Sequence, residues 1–405
     1  MLENITPEDF TISASGSEGS FDFDPASFVE EKVAEIRSVV GKGRAAIATS
    51  GGVDSTACAA LAHRALGKDL VCFFMDTGFM REGEVKEVKG LLASLGLPLK
   101  ILSVKDRFLK ALEGKTDAES KRLAFRETFY TVLGEAAGRE GCDVLIQGTI
   151  APDWIESSGG IKTQHNVLEQ LGVDTVKRFG FRLLEPLLDL YKDQVRALAR
   201  YLGASVDASE RQPFPGPGLL VRCIGPVSEE KVEVLRRATS VVEEELGAFR
   251  PAPKQYLAAV IEDERSPSGK GVEGAASQIL PKAKVEYFRW LATGVKGDNR
   301  AYGKIAIVSG EEREPSELFG LPEKVIHEDG EIVRVVYKID DGRKRAGKYA
   351  VIVRAVETRD FMTARPSTIP LKVLKGIADK IMEDGRVSVV CYDLTSKPPA
   401  TVEFE

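Results

Sequence analysis

The chain has 405 residues, which is long enough for two or three domains. Hydrophobic residues make up 43% of it and charged residues 29%, as in ordinary globular proteins. The net charge of -6 matches the six acidic residues among the first 25, where no lysine or arginine occurs. The remainder is balanced and does not indicate a nucleic-acid-binding protein. Because the chain lacks a long apolar run and a signal-like N-terminus, we expect a cytoplasmic protein that does not enter membranes.

Residues 1 to about 25 are rich in Ser, Gly and acidic side chains and predict a mobile tail. Phe28, Val33, Ile36 and Val40 then recur with the period of a helix, which predicts a helix over 28–40. The five cysteines are scattered and show no CxxC spacing. We therefore expect reduced thiols rather than disulfides or a zinc site.

A short apolar strand, residues 44–49, leads into Ser50-Gly51-Gly52-Val53-Asp54-Ser55-Thr56, and an Ala-rich helix follows. The two glycines allow close backbone approach, and the first turn of a helix offers unpaired N–H groups and a positive dipole end. This pattern predicts a phosphate site. Asp54 would repel a bare phosphate, but it fits if Mg²⁺ lies between the two. The alternative is an ordinary Ser/Gly turn that opens a helix.

Apolar strands alternate with helices up to residue 148. The predicted strands are 70–75, 99–104 and 143–148, and the predicted helices are 82–95 and 120–138. Buried strands that alternate with helices predict a parallel sheet covered on both faces, with ligands at the carboxyl ends of the strands. Asp76, Gly148 and Thr149 each follow a strand, so we expect them to lie beside the same nucleotide as the 50–56 loop.

Polar residues continue after the fourth strand. Asp153 and Glu156 follow the strand end closely, and either could be a second Mg²⁺ ligand; a capping pair on the next helix is an equal alternative. Residues 159–166 contain Lys162 and His165 after a pair of glycines, as in a lid that closes over a reaction. A plain surface loop explains the same segment almost as well.

The segment 211–219 is rich in Pro and Gly, which excludes a helix or a central strand and marks a domain boundary. A helix over 193–202 precedes it. The part after it mixes helices (228–246 and 371–383) with strands (333–339, 349–356 and 387–392). The polar end of the chain, 394–405, contains two prolines and predicts an extended, fixed segment, with a frayed end as the alternative.

The motifs together resemble GMP synthase (glutamine-hydrolysing) in its ATP-pyrophosphatase and dimerisation portions. They are SGGVDS, DTGFMR, QGTIAPDWIES, IKTQHN, EPLLDLYKDQVR, PFPGPGL, GDNRAY, DFMTA and SKPPATVEFE. The resemblance spans roughly residues 28–260, 292–303 and 349–405. It implies an α/β protein with a parallel-sheet PP-loop domain of the adenine-nucleotide-hydrolase type at 26–211, followed by a smaller α+β dimerisation domain at 212–405.

The family adenylates XMP with ATP and then aminates it to GMP, releasing AMP and pyrophosphate. By resemblance, the residues that bind ATP are Ser50, Gly51, Gly52, Val53, Asp54, Ser55 and Thr56, with Asp76, Gly148 and Thr149 beside them. Asp54 and Asp153 would bind Mg²⁺, and Lys162 and His165 would join Asp54 in catalysis. The positions that correspond to XMP contacts are Arg122, Asp298, Lys397 and Glu403, the last two reaching the site from or across a dimer interface.

The chain departs from the family pattern at three places. No glutaminase segment precedes the loop, so we expect ammonia from solution or from a separate glutamine amidotransferase subunit. The lid has Gln164 where the family has the first of two histidines. Extra segments occur at about 262–285 and 304–348, the second containing Arg343-Lys344-Arg345, which is interpreted as a solvated hairpin turn. These segments leave the assembly open between a homodimer and a monomer.

Two other functions stay open on the sequence alone. Another PP-loop ligase, acting on a different carbonyl compound, would contain the same loop. A non-catalytic ATP-binding regulator could use the lid as a sensor, although a pure binder has no use for the carboxylate of Asp54.

Overall fold

The structure is a computed structural model that describes residues 23–151, 175–204, 214–297, 299–341, 347–358 and 362–405. The predicted N-terminal tail up to residue 22 lies outside these ranges. The same applies to Asp153, Glu156, the lid with Lys162 and His165, Asp298 and the Arg343-Lys344-Arg345 triplet. Within the described ranges, no helix is long and apolar enough to cross a membrane.

The first domain alternates helices and strands. Its helices are α1 (Pro25–Val40), α2 (Val53–Leu66), α3 (Glu84–Ser94), α4 (Lys105–Leu112), α5 (Ala118–Arg139), α6 (Thr175–Phe179) and α7 (Lys192–Tyr201). Its strands are β1 (Arg44–Ala48), β2 (Leu70–Asp76), β3 (Leu99–Ser103), β4 (Cys142–Ile146) and β5 (Arg182–Leu184). The helices and strands predicted for this domain are present. Helix α2 starts at Val53 rather than Thr56, because Gly52 has an extended backbone and serves as its N-cap.

These five strands form a parallel sheet in the order β3-β2-β1-β4-β5. Strand β1 is central, and its residues alternate between two cores: Ala46 packs on one side of the sheet, and Ala45 and Ile47 pack on the other. The chain runs from β1 to β2 on one side and places β4 on the other side, so the strand order reverses beside β1. Ligands of parallel sheets bind at such a switch point.

The second domain contains elements that the sequence pattern did not predict. Its helices are α8 (Glu229–Ala248), α9 (Lys270–Ser277), α10 (Leu321–Glu328) and α11 (Leu371–Met382). Its strands are β6 (Gln255–Glu262), β7 (Arg265–Pro267), β8 (Lys284–Phe288), β9 (Ala292–Lys296), β10 (Asn299–Ser309), β11 (Ile332–Asp341), β12 (Tyr349–Glu357), β13 (Arg365–Pro366) and β14 (Val387–Asp393). The predicted helices and strands are all among them. Helices α9 and α10 and several strands lie in the two extra segments.

The strands of this domain form a mixed sheet of nine strands. Its main order is β13-β12-β14-β11-β10-β8-β7, with β6 paired to β12 and β9 paired to β10. The four helices contribute their buried residues to one core cluster, and the opposite face of the sheet is covered by a cluster that includes Phe404 and Trp290. The domain that we expected to be the smaller one therefore has the larger sheet, because the extra segments are part of it.

The two domains meet at the loop after β2. The N–H of Leu219 donates to the carbonyl of Phe79 at 2.8 Å, and Arg236 of α8 donates to the carbonyl of Gly78 at 2.5 Å. Gly218 has φ +64, and a Cβ there would lie 2.3 Å from the carbonyl oxygen of Phe79. The connector approaches so closely that glycine is required.

A buried lysine forms a second link between the domains. Lys121 of α5 is 1% exposed and donates to the carbonyls of Cys223 at 2.8 Å and Gly225 at 2.9 Å. Its ammonium also pairs with the carboxylate of Glu405, which is itself buried. Because a buried cation needs several partners, this residue fixes α5 against the second domain and the end of the chain.

Candidate active site

The loop after β1 is closed by its own serines. The N–H of Ser50 donates to Oγ of Ser55 at 3.1 Å, and the Ser55 hydroxyl donates to the carbonyl of Gly52 at 3.1 Å. The N–H of Gly52 donates to Oγ of Ser50 at 3.3 Å. These bonds fold the backbone around the first turn of α2, whose leading N–H groups have no intrahelical partner. The predicted phosphate site therefore has the geometry of an anion-binding loop.

Two glycines bring neighbouring segments against this loop. Gly51 has φ +77, and a Cβ there would lie 2.5 Å from Cγ2 of Val88, a fully buried residue of α3. Gly148, which follows β4, would place a Cβ 3.1 Å from the carbonyl oxygen of Asp54 and 3.2 Å from Cβ of Cys58. The segment after β4 thus packs directly on the first turns of α2, so the predicted convergence of Gly148 with the loop is present.

Asp54 lies in the first turn of α2. Its Oδ2 accepts a hydrogen bond from Nζ of Lys192, the first residue of α7. Its Oδ1 is buried and has no hydrogen-bond partner. A buried carboxylate oxygen without a partner is costly, which makes this atom a candidate ligand for a cation. The lysine was not among the predicted site residues, although it lies in the EPLLDLYKDQVR motif.

The side chains of Asp76 and Thr149 support the edges of the site. The carboxylate of Asp76 accepts from the N–H of Gly78 at 3.1 Å and so holds the turn after β2. Thr149 is 4% exposed; its hydroxyl donates to the carboxylate of Glu185 and accepts from Nε2 of Gln147 at 2.8 Å. The Thr149 hydroxyl is therefore engaged by Glu185 and Gln147 in the interior, and within the described residues its side chain makes no hydrogen bond to the 50–56 loop.

A second polar cluster lies between the domains. Oε2 of Glu119 on α5 is 3.5 Å from Nη1 of Arg122 and 3.6 Å from Nη1 of Arg300, and it accepts from the Tyr302 hydroxyl at 3.2 Å. Arg122 is 8% exposed, and its Nε is buried without a hydrogen-bond partner. Burial, together with the charge of Arg300, lowers the pKa of the Arg122 guanidinium. Both guanidiniums therefore lie beside the carboxylate of Glu119, and Arg122 keeps one buried N–H group that a ligand could accept from.

The chain end reaches the same region. The carboxylate of Glu403 accepts two hydrogen bonds from the buried Arg222, from Nε and Nη2, both at 2.9 Å. The charge of Glu405 also acts on Arg122. Lys397 is fixed by its backbone, which exchanges hydrogen bonds of 2.8 and 3.1 Å with Ala364. The last residues are therefore anchored, as predicted, and not a frayed end. They are not extended throughout, because a turn at Pro398-Pro399 lets the N–H of Ala400 donate to the carbonyl of Ser396 at 3.1 Å.

The described donor atoms fit a magnesium ion at Asp54. Mg²⁺ in nucleotide sites keeps several waters and binds one or two carboxylates together with the phosphates, so the single free oxygen Oδ1 is sufficient on the protein side. Among the described residues, no group of three or more His, Cys, Asp or Glu could hold a metal ion by itself. Asp153, the other expected ligand, lies outside the described residues, so the prediction for it stays a prediction.

Of the predicted residues, the structure brings together the 50–56 loop, Asp76 and Gly148 at one edge of the first sheet, and it places Arg122 at the domain interface. Arg222 and Arg300 were not predicted. Arg300 had a signal, since it lies within GDNRAY; Arg222 had none, because its partner Glu403 is far away in the sequence.

Two family models match the chain. A model described as the PP-loop domain matches residues 25–211, which is the domain with the parallel sheet. A model described as the GMP synthase C terminal domain matches residues 339–404, from the end of β11 through the anchored chain end. The first match contains the 50–56 loop, Glu119 and Arg122, and the second contains Lys397 and Glu403; Arg222 and Arg300 lie in neither matched range.

Curated relatives are similar over nearly the whole chain. The B-type subunit of GMP synthase (glutamine-hydrolyzing) from Sulfurisphaera tokodaii is 46% identical over 383 residues, which are 95% of this chain and 100% of the relative. The chain belongs to this family of GMP synthase subunits. The corresponding protein of Methanopyrus kandleri is 40% identical over 388 residues, again 95% of this chain and 100% of the relative. Membership in the family makes the chain an ATP-using ligase of the ATP-pyrophosphatase type.

Solved structures also show similarity to part of this GMP synthase family member. The NH3-dependent NAD synthetase of Campylobacter jejuni is 22% identical, covers 46% of this chain and 76% of its own, and superposes with a TM-score of 0.37.

Proposed function

We propose that the chain is the synthetase subunit of a two-subunit GMP synthase. It adenylates XMP with ATP and aminates the product with ammonia, which comes from solution or from a separate glutamine amidotransferase subunit. The observation that supports this best is the buried, unpartnered Oδ1 of Asp54 on a phosphate-type loop, in a family named for GMP synthesis. A carboxylate in that place serves a metal–nucleotide substrate and would hinder a bare phosphate.

In the first step, O2 of XMP attacks the α-phosphorus of ATP, and the bond from that phosphorus to the bridging oxygen breaks. The electron pair leaves with pyrophosphate. The N–H groups at the start of α2 and the hydroxyls of Ser50 and Ser55 would hold the leaving group, so that little reorganisation is needed as charge develops. Asp54 would hold Mg²⁺, which would neutralise charge on the pyrophosphate. Lys192, beside Asp54, would donate to a phosphate oxygen.

The arginine pair at the domain interface suits XMP. Its phosphate monoester would bind Arg122, whose Nε is buried without a hydrogen-bond partner, together with the neighbouring Arg300. Asp298, Lys397 and Glu403 remain our proposed contacts to the rest of the nucleotide.

In the second step, ammonia attacks C2 of the adenylylated base, the C2–O2 bond breaks, AMP leaves with the electron pair, and a proton is released. We assign Lys162 and His165 to this stage of the reaction, where a lid over the site would exclude water from a reactive intermediate. Hydrolysis would otherwise return XMP and waste ATP.

The direct test measures pyrophosphate and AMP from Mg-ATP and ammonium, with and without XMP, and identifies the purine product. XMP-dependent pyrophosphate release with GMP formation supports the proposal. Release that depends on a different acceptor would indicate another PP-loop ligase. Bound ATP without turnover under any of these conditions would indicate a regulator.

Asp54→Asn should lower XMP-dependent pyrophosphate release by about 100-fold or more while the unfolding temperature stays near wild type, because the amide cannot replace an anionic metal ligand. Asp106→Asn is the matched control, since Asp106 also lies in the first turn of a helix, α4, but is exposed and outside the site. If the Asp54 variant kept full activity, the proposed metal role would be wrong.

A further inference from the structure

The second sheet has a palindromic plan. Six of its strands run in the order β6-β12-β14-β11-β10-β8. The outer pairs, β6 with β12 and β8 with β10, are antiparallel. The next pairs, β12 with β14 and β10 with β11, are parallel, and the central pair of β14 with β11 is antiparallel. The sequence of antiparallel and parallel pairings is therefore the same whether it is followed from β6 or from β8.

The helices repeat this plan. Helix α11 connects β12 to β14, and α10 connects β10 to β11; α8 precedes β6, and α9 precedes β8. In one half α8 packs on α11, and in the other half α9 packs on α10. We name the set α8, β6, β12, α11 and β14 the outer copy, and the set α9, β8, β10, α10 and β11 the inner copy. The inner copy is inserted in the outer copy, between β6 and β12.

The backbone registers of the two copies agree pair by pair. In the inner copy Lys304 pairs with Ile332 and Val308 with Tyr337; in the outer copy Tyr349 pairs with Val387 and Val353 with Tyr392. The first members of the pairs are related by one constant difference in residue number (304 to 349 and 308 to 353), and the second members by another (332 to 387 and 337 to 392). Both ladders also slip after their first pair, between Lys304 and Ile305 and between Tyr349 and Ala350. Because the two ladders share even this irregularity, their agreement indicates that the inner and outer copies are a duplicated unit.

The sequence supports the duplication where the helices lead into the central strands. Glu328-Asp329-Gly330 precedes β11 and Glu383-Asp384-Gly385 precedes β14, in both cases followed by an apolar strand with a tyrosine at the same distance.

The central pair places a pseudo-two-fold axis between these tyrosines. Tyr337 lies opposite Tyr392, and on either side Val336 lies opposite Asp393 and Lys338 opposite Cys391, so each pair is the image of the other. This is the rule of an isologous interface, in which residue i contacts j and j contacts i. Here the rule is obeyed within one chain. The edge of β14 that faces β11 is thereby paired within the chain and is closed to pairing with a second copy.

The inner copy also holds parts of the site that a two-fold partner would have to supply. Arg334 of β11 is fully buried; it donates to Oδ2 of Asp393 at 2.7 Å and to the carbonyl of Thr401 at 2.8 Å, and its guanidinium lies 3.8 Å from the ring of Phe404. It thereby fixes the segment that carries Lys397 and Glu403. Arg300, at the start of β10, belongs to the inner copy as well.

The contact between Arg334 and Asp393 occurs in only one of the two equivalent places within the described copies. The register that relates the copies places Val389 at the position of Arg334 and Lys338 at the position of Asp393. Among the described residues, the contacts by which Arg334 and Asp393 anchor the chain end are thus present in one copy alone. A duplicated fold with one set of binding contacts gives one nucleotide site per chain.

The outer edge of the inner copy is not built for a further partner. It is formed by β7, three exposed residues that end in Pro267. Short edge strands that contain proline resist pairing with another chain.

We propose that the second domain is a dimer folded within a single chain, in which residues 263–341 occupy the place of a two-fold partner. The protein is therefore a monomer with one complete nucleotide site when its amidotransferase partner is absent. Of the two assemblies that the sequence left open, the monomer replaces the homodimer as our proposal. The inference concerns assembly and does not depend on which reaction the site performs.

The test measures the mass of the full chain by sedimentation velocity and by light scattering over an about hundred-fold range of concentration, with and without XMP and Mg-ATP. A mass near 44.1 kDa throughout is the expected result. A mass of two chains at micromolar concentration would overturn the proposal. Because mass is independent of catalysis, an inactive monomer would count against the proposed reaction and leave this inference standing.

A mixing experiment tests whether sites are shared. Asp54→Asn and Arg334→Met, each with low activity, are combined at equal concentration; if the site is complete within a chain, the mixture has only the sum of the two activities. Restored activity would show a site built from two chains and would overturn the proposal. Arg300→Met replaces Arg334→Met if the latter does not fold, since Arg300 lies at the partly exposed domain interface.

Discussion

At the residue scale, the ion pair between Asp54 and Lys192 lies in the first turn of α2, directly at the 50–56 loop. Without nucleotide, Lys192 neutralises one oxygen of the carboxylate while the other stays buried and unpartnered. A lysine and a metal ion compete for the same carboxylate, because both are attracted by its charge. We therefore expect Lys192 to give up its contact with Asp54 when a metal–nucleotide complex binds.

Lys192→Met should consequently lower the Mg²⁺ concentration needed for half-maximal rate several-fold, because the competing cation is gone, and should also lower kcat, because a phosphate oxygen loses a partner. The measurement is pyrophosphate release over a Mg²⁺ titration at fixed ATP. Lys110→Met, which changes an exposed lysine on α4, is the control and should change neither quantity. An unaltered Mg²⁺ dependence in Lys192→Met would contradict the competition.

At the scale of elements, the strand–loop–helix unit of β1 and α2 depends on one backbone conformation. Gly51 has φ +77 and touches the buried Val88, whereas Gly52 has φ -73 and would place a Cβ 3.3 Å from Oγ of Ser50. Gly51→Ala should lower the free energy of unfolding by about 1 to 3 kcal/mol, through strain at positive φ and a clash with α3. Gly52→Ala should cost clearly less, because its backbone is extended. Urea unfolding without nucleotide compares them, and equal losses would refute the strain argument.

The central strands of the second sheet share a buried charge. Both Arg354 and Arg334 donate to Oδ2 of Asp393 at 2.7 Å, and all three side chains are at most 1% exposed. Burial alone would raise the pKa of Asp393, but Arg354 and Arg334 outweigh it and hold the pKa below the ordinary 3.8. This carboxylate therefore stabilises the fold above pH 3.8, and that stabilisation is lost as the pH falls through the lowered pKa.

Asp393→Asn removes the charge and keeps the shape. It leaves two buried guanidiniums without a counter-charge, so the free energy of unfolding at neutral pH should fall by about 3 to 5 kcal/mol. Urea unfolding measures this, and adding Arg354→Met to the same chain should restore part of the loss, because the uncompensated charge is then smaller. A loss that is the same in both variants would mean that packing, rather than charge, holds β11 and β14 together.

At the scale of the whole molecule, local patterns predicted the first domain well and the second only in part. Apolar runs and glycines located β1 to β4 and the phosphate loop, because these depend on neighbours in sequence. The contact of Lys192 with Asp54 and that of Arg222 with Glu403 join residues far apart in the chain, which no local pattern shows. The duplication was missed because the inner copy interrupts the outer one, so its halves are not consecutive repeats.

The link between the domains ends in a pair of buried opposite charges, Lys121 and Glu405, which joins α5 of the first domain to the end of the chain. Burial raises the pKa of the Glu405 carboxyl above its ordinary 4.5, and the nearby Lys121 offsets this only partly. A raised pKa in the folded state means that the contribution of Glu405 to stability is fully present below pH 4.5 and is lost as the pH rises through the raised value.

Glu405→Gln isolates this contribution, because the amide has the same size and does not titrate. The free energy of unfolding of the wild type minus that of the variant should fall as the pH rises from 4.5 through the raised pKa and should then stay constant. Urea unfolding at a series of pH values measures the difference, in which other carboxylates such as Asp393 cancel. A difference that grows with pH would show that the ion pair with Lys121 outweighs burial, and that the domains are joined by attraction between charges more than by the packing around them.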